Sequence, residues 1–224
     1  RGGDHDMVEY DFISFHPGDN LNTMGYEGDY TLTISKDPVS VRLPGRIHLT
    51  VLDMNRFSPG HPGGGGIGFA IQVYTKVTVQ CSESGYSISY SRPAIIEHFL
   101  KLFSHVVGYI GGFAIQAFDP PYKHVGLGST CTVLMGLAVA VNQAVGNPLS
   151  RDQLRTLIGK NYVEEIGDDL IAYAFETGVG PAVSSDGGMV VMGDNLTGSS
   201  LFHVGRLNFN CTYRRATNLT SAIM

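Results

Sequence analysis

Alternating apolar and polar positions characterise the first half of the chain. Residues 39–43 and 46–53 alternate on either side of a Pro-Gly pair, and a longer alternating run covers residues 67–80. The short alternation of residues 86–90 predicts a strand that pairs with the 67–80 run as a hairpin. This half of the chain is therefore expected to be rich in strands.

The spacing changes beyond residue 93, where apolar residues recur at steps of three and four. One of the helices that follow is almost wholly apolar, which predicts burial on most sides, and another opens with a capping box at Ser150. The predicted helices are 93–107, 132–145, 150–165 and 168–175, and the predicted strands are 112–118 and 187–192. The expected fold class is α+β.

Three segments are predicted from composition and periodicity. Residues 1–29 contain many Asp, Gly, His and Asn residues without a period, which indicates an acidic N-terminal arm. Residues 30–198 carry the periodic elements and form one domain. Residues 199–224 are predicted to be an irregular tail or the start of an incomplete C-terminal domain.

Composition and charge exclude several classes of protein. With 43% hydrophobic and 16% charged residues, the chain of 224 residues can form a folded core. A net charge of −5 argues against a basic surface for a nucleic-acid polymer. Every apolar run is interrupted well before about 18 residues, so no membrane span is expected. Three cysteines without metal-like spacing favour a reducing compartment, and we expect a cytoplasmic protein.

A glycine-rich loop precedes the apolar helix and is the sharpest chemical feature of the sequence. A helix start offers free N–H groups and a positive dipole end, and glycines let the backbone approach an anion. Lys123 adds a cation beside the loop. The pattern predicts phosphate binding, although a tight turn that packs the helix on the sheet would use the same glycines. The candidate phosphate-binding residues are Gly126, Leu127, Gly128, Ser129 and Thr130.

Two further glycine loops are candidates for ligand contact. One contains Gly65 and Gly66, and the other contains Gly178 and Gly180. Ordering a glycine-rich loop costs conformational entropy. Each loop is therefore interpreted either as a place where the backbone contacts a ligand or as a flexible tip.

Carboxylates and a histidine near these loops are candidates for metal or proton chemistry. Asp53 ends the strand before the first of the two loops, and Asp168 begins a later element. Glu164 and Glu165 are expected to close a helix, where their negative charge opposes the dipole; a solvated helix end is the alternative. His48 lies opposite the apolar face of its strand and could be structural or catalytic.

Three stretches together resemble a known superfamily. Residues 44–53, 65–70 and 124–130 resemble the GHMP superfamily and, within it, the β-ribofuranosylaminobenzene 5′-phosphate synthase branch. The Arg-Ile-His-x-Thr-x-x-Asp run followed by Gly-Gly-x-Gly is the part more specific to that branch. The likeness covers residues 40–193.

The resemblance implies a fold and a reaction. The fold would be a domain like domain 2 of ribosomal protein S5, with a left-handed β-α-β unit, and the C-terminal half is expected to be truncated because members are usually longer. The reaction would join phosphoribosyl pyrophosphate to a ring carbon of an aromatic carboxylic acid, with loss of CO2 and pyrophosphate. Mg2+ would neutralise the pyrophosphate, and a homodimer is implied.

The resemblance also implies roles for individual residues. A cation is needed to seat the acceptor carboxylate, for which Lys123 is the first choice and Arg46 the second. Taken together with the residue patterns above, the candidate roles are catalytic for Asp53, Lys123 and His48, substrate-binding for Arg46, His61 and Glu176, and metal-binding for Glu164, Glu165 and Asp168.

Two alternatives stay open at this point. A GHMP kinase would place ATP at the Gly126 loop and use Asp168 or Asp169 as the base. Against it, residues 52–55 do not continue the first motif into the Gly-Glu-His-like stretch of the kinases. A truncated, non-catalytic phosphate-binding module is the other alternative.

Overall fold

The computed structural model describes residues 13–51, 66–120, 127–167 and 169–192, together with the backbone of residues 204–205. These residues form nine strands and four helices. The strands are β1 (Ser14–Phe15), β2 (Val39–Val51), β3 (Gly66–Ser82), β4 (Tyr86–Ser89), β5 (Gly112–Phe118), β6 (Val163–Gly167), β7 (Leu170–Tyr173), β8 (Met189–Met192) and β9 (Val204–Gly205). The helices are α1 (Pro93–Val107), α2 (Ser129–Ala144), α3 (Arg151–Lys160) and α4 (Val179–Asp186).

The larger sheet is built around the long strand β3. Strand β2 pairs antiparallel with β3 over its whole length, from Val39 opposite Val79 to Val51 opposite Gly66. On its other side β3 pairs antiparallel with β8 through its first residues and with β5 through its last. The predicted alternating strands are confirmed, and the Pro-Gly pair that separates two of them is an irregularity within the single strand β2.

The predicted partner of residues 86–90 is wrong. Strand β4 lies beside β5, in parallel, and does not pair with β3. Helix α1 makes the connection between these two strands, as parallel neighbours require. The resulting β4–α1–β5 unit is the β-α-β unit of the expected α+β fold; its left-handed crossover stays a prediction.

The main core lies between the larger sheet and helices α1, α2 and α3. Helix α2 packs on β2 and β3 and is buried along nearly its whole length, which confirms the prediction from its apolar sequence. Phe103 and Phe113 are among the largest fully buried side chains of this core. No helix of the described residues is long and apolar enough to cross a membrane.

A three-stranded sheet replaces two predicted helical segments. Helix α3 ends at Lys160, and the chain then forms the β6–β7 hairpin where helix was expected through residue 165 and over 168–175. Gly167 and Asp169 have positive φ angles at the reversal, a conformation that suits a tight turn rather than a helix. Glu164 and Glu165 are therefore strand neighbours whose side chains point to opposite faces.

The described part of the predicted acidic arm is packed against the rest of the chain. Strand β1 pairs with β7, and Phe15 is buried there. Further along, the Tyr26 hydroxyl donates to the Gln153 carbonyl oxygen at 2.5 Å, and Asn161 exchanges two hydrogen bonds with the backbone of Asn22. The domain boundaries after residues 29 and 198 stay predictions.

Candidate functional site

The start of α2 carries the described residues of the first glycine-rich loop, Leu127, Gly128, Ser129 and Thr130. Gly128 is the N-cap residue and adopts a left-handed conformation, with φ 65° and ψ 39°. No side chain of the described residues caps this helix start. The first N–H groups of the helix, beginning with those of Ser129 and Thr130, have no acceptor within the helix, and the helix dipole favours negative charge there.

Arg46 links strand β2 to this helix start. Its backbone N–H donates to the Leu127 carbonyl oxygen at 3.2 Å, and its Nη1 donates to the Gly128 carbonyl oxygen at 3.2 Å. Only 9% of the residue is exposed. The buried Arg46 guanidinium therefore contacts the backbone of the loop that is predicted to bind phosphate.

The buried Arg46 guanidinium has the Glu176 carboxylate in its surroundings. Burial alone lowers the pKa of the Arg46 guanidinium, but interactions with Cys131, Glu176 and Tyr162 raise it overall. Glu176 is itself buried, and its Oε1 accepts a hydrogen bond from the Gly178 N–H at 3.0 Å. Glu176, predicted to bind substrate, thus lies beside the Arg46 charge and holds the start of α4.

Gly128, before α2, and Gly180, in the first turn of α4, make room for the same guanidinium. A Cβ atom at Gly128 would overlap Arg46 Nη1. A Cβ atom at Gly180 would lie 2.7 Å from Arg46 Cζ and 2.8 Å from Cys131 Sγ. The structure therefore gives both glycines a packing reason, and their predicted phosphate contacts stay predictions.

The other described glycines have local roles. Gly178 is the N-cap residue of α4 and has a φ of 84°. Gly66, at the start of β3, has a φ of 143°, and a Cβ atom there would overlap the Thr50 carbonyl oxygen. Close backbone approach thus requires glycine at position 66 without any ligand.

His48 lies next to Arg46 on the same strand. Its Nε2 is 3.1 Å from Arg46 Nε, which donates to it. Burial, followed by the nearby Arg46 charge, lowers the pKa of His48 to about 4. The imidazole is therefore neutral at pH 7 and acts as a hydrogen-bond acceptor in this arrangement.

A second arginine, Arg92, flanks the other side of the α2 start and was missed in the sequence. It donates from Nη1 to Thr130 Oγ1, and its Nη2 lies 3.4 Å from Ser129 Oγ. Nη2 also donates to the Tyr90 hydroxyl at 2.6 Å and pairs with the Asp119 carboxylate at 3.6 Å. The only local signal for Arg92 is its position before a helix-opening proline, which says nothing about these contacts.

The predicted metal ligands Glu164 and Glu165 do not fit one Mg2+ site. The Glu164 carboxylate accepts hydrogen bonds from Thr130 Oγ1 at 3.0 Å and from the Tyr162 hydroxyl at 2.8 Å, and lies 3.5 Å from Arg92. Glu165 instead accepts from the Ala94 N–H on α1. Within the part of the chain that the structure describes, no group of three or more His, Cys, Asp or Glu residues could hold a metal ion.

Six predicted site residues lie outside the described residues and stay predictions. They are Asp53, His61, Gly65, Lys123, Gly126 and Asp168. Of the rest, the structure brings Arg46, His48 and Glu176 to the loop at Gly128, and it leaves Glu165 at the start of α1.

Comparison with known proteins adds two findings. No family model matches the chain. A curated relative, the beta-ribofuranosylphenol 5′-phosphate synthase of Archaeoglobus fulgidus, is 28% identical over 158 residues, which cover 70% of this chain and 45% of that protein. This chain thus spans less than half of the relative.

A solved structure shows the same fold. The crystal structure of the Methanococcus jannaschii mevalonate kinase superposes with a TM-score of 0.50 at 13% sequence identity. The match covers 71% of this chain and 54% of the kinase. At this identity the similarity concerns the fold alone.

Proposed function

We propose that the chain is a phosphoribosyl pyrophosphate-dependent C-glycosyltransferase of the GHMP superfamily, because it resembles the β-ribofuranosylaminobenzene 5′-phosphate synthase branch in sequence and is similar to the curated synthase. The bond between C1′ and the pyrophosphate oxygen breaks, and pyrophosphate leaves with the electron pair. The ring carbon that bears the carboxylate then bonds to C1′. Loss of CO2 returns the electron pair to the ring and restores its aromaticity.

The observation that supports this proposal is the pairing of the α2 start with a buried cation. The first-turn N–H groups can donate to phosphate oxygens. Arg46 adds a permanent positive charge behind the loop, held 3.2 Å from the Gly128 carbonyl oxygen. A pyrophosphate leaving group carries the multiple negative charge that such a site stabilises.

Hydroxyl groups of the loop differ in what they can contribute. The Thr130 hydroxyl accepts from Arg92 and donates its proton to Glu164, so it has no proton left for a phosphate. Ser129 Oγ, 3.4 Å from Arg92, is the better candidate for a phosphate contact. The proposed phosphate contacts are therefore the backbone of the first turn and the Ser129 hydroxyl.

The acceptor and the metal complete the proposal. An aromatic carboxylic acid would be the acceptor, with Lys123 seating its carboxylate. Mg2+ would neutralise the charge of the pyrophosphate. The proposed reaction contains no step at the Mg2+ ion, because Glu164 and Glu165 do not fit one Mg2+ site. We also propose that the protein is a cytoplasmic homodimer.

Calorimetric titration of the chain with phosphoribosyl pyrophosphate and, separately, with ATP, each with Mg2+, tests the proposal. We expect binding of phosphoribosyl pyrophosphate alone, followed by pyrophosphate and CO2 release when 4-hydroxybenzoate or 4-aminobenzoate is added. Binding of ATP alone would support a kinase instead. Binding of neither would contradict a phosphate site in this chain.

Arg46→Gln and Arg42→Gln form a matched pair for the same titration. Both arginines lie on β2, but Arg42 is exposed and stacks over the Tyr74 ring. We expect Arg46→Gln to weaken phosphoribosyl pyrophosphate binding at least about tenfold, because a charge-assisted contribution is lost, and Arg42→Gln to leave it unchanged. Equal affinities of the two variants would remove Arg46 from the site.

A further inference from the structure

We propose that His48 is a positioning residue: its neutral imidazole accepts a hydrogen bond from Arg46 Nε and thereby aims the guanidinium at the phosphate loop. This inference rests on the proposed function, because Arg46 is the cation of that site. In this proposal His48 orients Arg46 and takes no part in proton transfer, in contrast to the catalytic role expected from the sequence.

The hydrogen bond fixes the tautomer of the imidazole. Arg46 Nε always carries a proton and can only donate, so the His48 Nε2 atom 3.1 Å away must present its lone pair. The single imidazole proton then resides on Nδ1. A lone pair engaged with a permanent cation cannot also accept a proton from a substrate.

The hydrogen bond also fixes the plane of the guanidinium. Because the guanidinium is planar and rigid, a bond at Nε sets the direction of both Nη groups. Nη1 then meets the Gly128 carbonyl oxygen at 3.2 Å, and the Cζ end fits against Gly180. The guanidinium lies in a narrow space, and His48 selects its orientation there.

The packing around His48 holds the imidazole itself. A Cβ atom at Gly68, on the neighbouring strand, would lie 3.2 Å from His48 Cδ2. The ring edge is thus supported by the backbone of β3, opposite His48 in the sheet. Protonation of the ring would place a second positive charge beside Arg46, and the lowered pKa of His48 agrees with a ring that stays neutral.

His48→Gln and His48→Leu distinguish orientation from proton transfer. A glutamine oxygen can reach the place of Nε2 and accept from Arg46, whereas leucine cannot accept. We expect the affinity for phosphoribosyl pyrophosphate to stay within about threefold in His48→Gln and to fall about tenfold or more in His48→Leu. His105 is an exposed histidine of α1. The variant His105→Gln is therefore the matched control and should bind phosphoribosyl pyrophosphate like the unaltered chain.

Nitrogen NMR of the imidazole and of Arg46 Nε–H supplies a readout that needs no ligand. We expect a proton on His48 Nδ1, an unprotonated Nε2, and an Arg46 Nε–H that is protected from exchange in the unaltered chain and in His48→Gln but not in His48→Leu. A proton on Nε2, or a folded His48→Gln variant as weak as His48→Leu, would overturn the inference. If the unaltered chain fails to bind phosphoribosyl pyrophosphate, the proposed function fails while the NMR result still decides the role of His48.

Discussion

At the scale of single residues, the space around the Arg46 guanidinium determines which residue types are possible nearby. Gly128 precedes α2 and Gly180 lies in the first turn of α4, yet the same Arg46 side chain leaves no room for a larger residue at either position. Gly128 has a second reason, because its φ of 65° lies in the left-handed region. A substitution at Gly128 thus tests both backbone strain and displacement of Arg46.

Gly128→Ala is compared with Gly85→Ala to separate these two effects. Gly85 has a φ of 71° and open space around its missing Cβ, so its alanine variant has the backbone strain of about 1–2 kcal/mol alone. We expect Gly128→Ala to lower the free energy of unfolding by at least about 1 kcal/mol more than Gly85→Ala, because Arg46 must move. It should also weaken phosphoribosyl pyrophosphate binding at least about tenfold.

Urea unfolding and calorimetry of both variants check this expectation. Equal losses of unfolding free energy would mean that Arg46 moves aside without cost. Unchanged affinity in Gly128→Ala would remove the loop from the binding site.

At the scale of elements, Arg92 joins four parts of the fold at one point. It is the N-cap residue of α1, and its guanidinium contacts the first turn of α2 through Thr130 and the strand β6 through Glu164. It also pairs with Asp119, after β5. The orientation of the α2 start relative to the sheet therefore depends on a side chain that makes no predicted contact with ligand.

Arg92→Gln should destabilise the fold more than Arg151→Gln does. Only 15% of the Arg92 side chain is exposed, and its removal leaves the Asp119 carboxylate, which is 10% exposed, without its cation. Arg151, whose side chain is 62% exposed, pairs with Asp186 at the surface. We expect a loss of about 2 kcal/mol in unfolding free energy for Arg92→Gln and of less than about 1 kcal/mol for Arg151→Gln, measured by urea unfolding. Similar losses would contradict a joining role of Arg92.

At the scale of the whole molecule, the segment of residues 13–29 connects helix α1 to the three-stranded sheet of β1, β7 and β6. The Gly18 N–H donates to His98 Nδ1 at 3.1 Å, and Lys101 Nζ donates to the Pro17 carbonyl oxygen at 2.9 Å. His98 is 1% exposed and packs against the Phe15 ring. This attachment requires neutral His98, because a protonated ring could not accept from Gly18.

Stability is therefore expected to fall in mild acid. Burial, followed by the Lys101 charge, lowers the pKa of His98 to about 4, while Asp19 opposes this shift. The unfolded chain takes up this proton near pH 6.5, so the contribution of neutral His98 is present above pH 6.5 and is lost as the pH falls from there towards 4.

His98→Asn tests the pH dependence, since an asparagine oxygen can replace Nδ1 as acceptor without titrating. Between pH 7 and pH 4.5 we expect the unaltered chain to lose about 1–2 kcal/mol more unfolding free energy than His98→Asn. His105→Asn, at an exposed site on α1, should behave like the unaltered chain. An identical pH dependence in His98→Asn and the unaltered chain would mean that His98 does not couple protons to folding.

Elements with long and regular patterns could be predicted from the sequence. Strands β2, β3 and β5 and helices α1 and α2 were predicted because their apolar positions repeat over many residues. A helix after the glycine-rich loop was also predicted, with a start at residue 132, whereas α2 begins at Ser129. Buried faces and backbone conformation follow from nearby residues, so they can be derived from the sequence.

Tertiary structure decided the partners of these elements. Strand β4 lies beside β5 instead of β3, and the short apolar stretches after α3 form the β6–β7 hairpin instead of helix. The convergence of Arg46, Gly128 and Gly180, and the contacts of Arg92, likewise join residues far apart in the chain. A short periodic pattern predicts which face of an element is buried, but not which other element packs against that face. The packing partner depends on contacts that form only when the whole chain has folded.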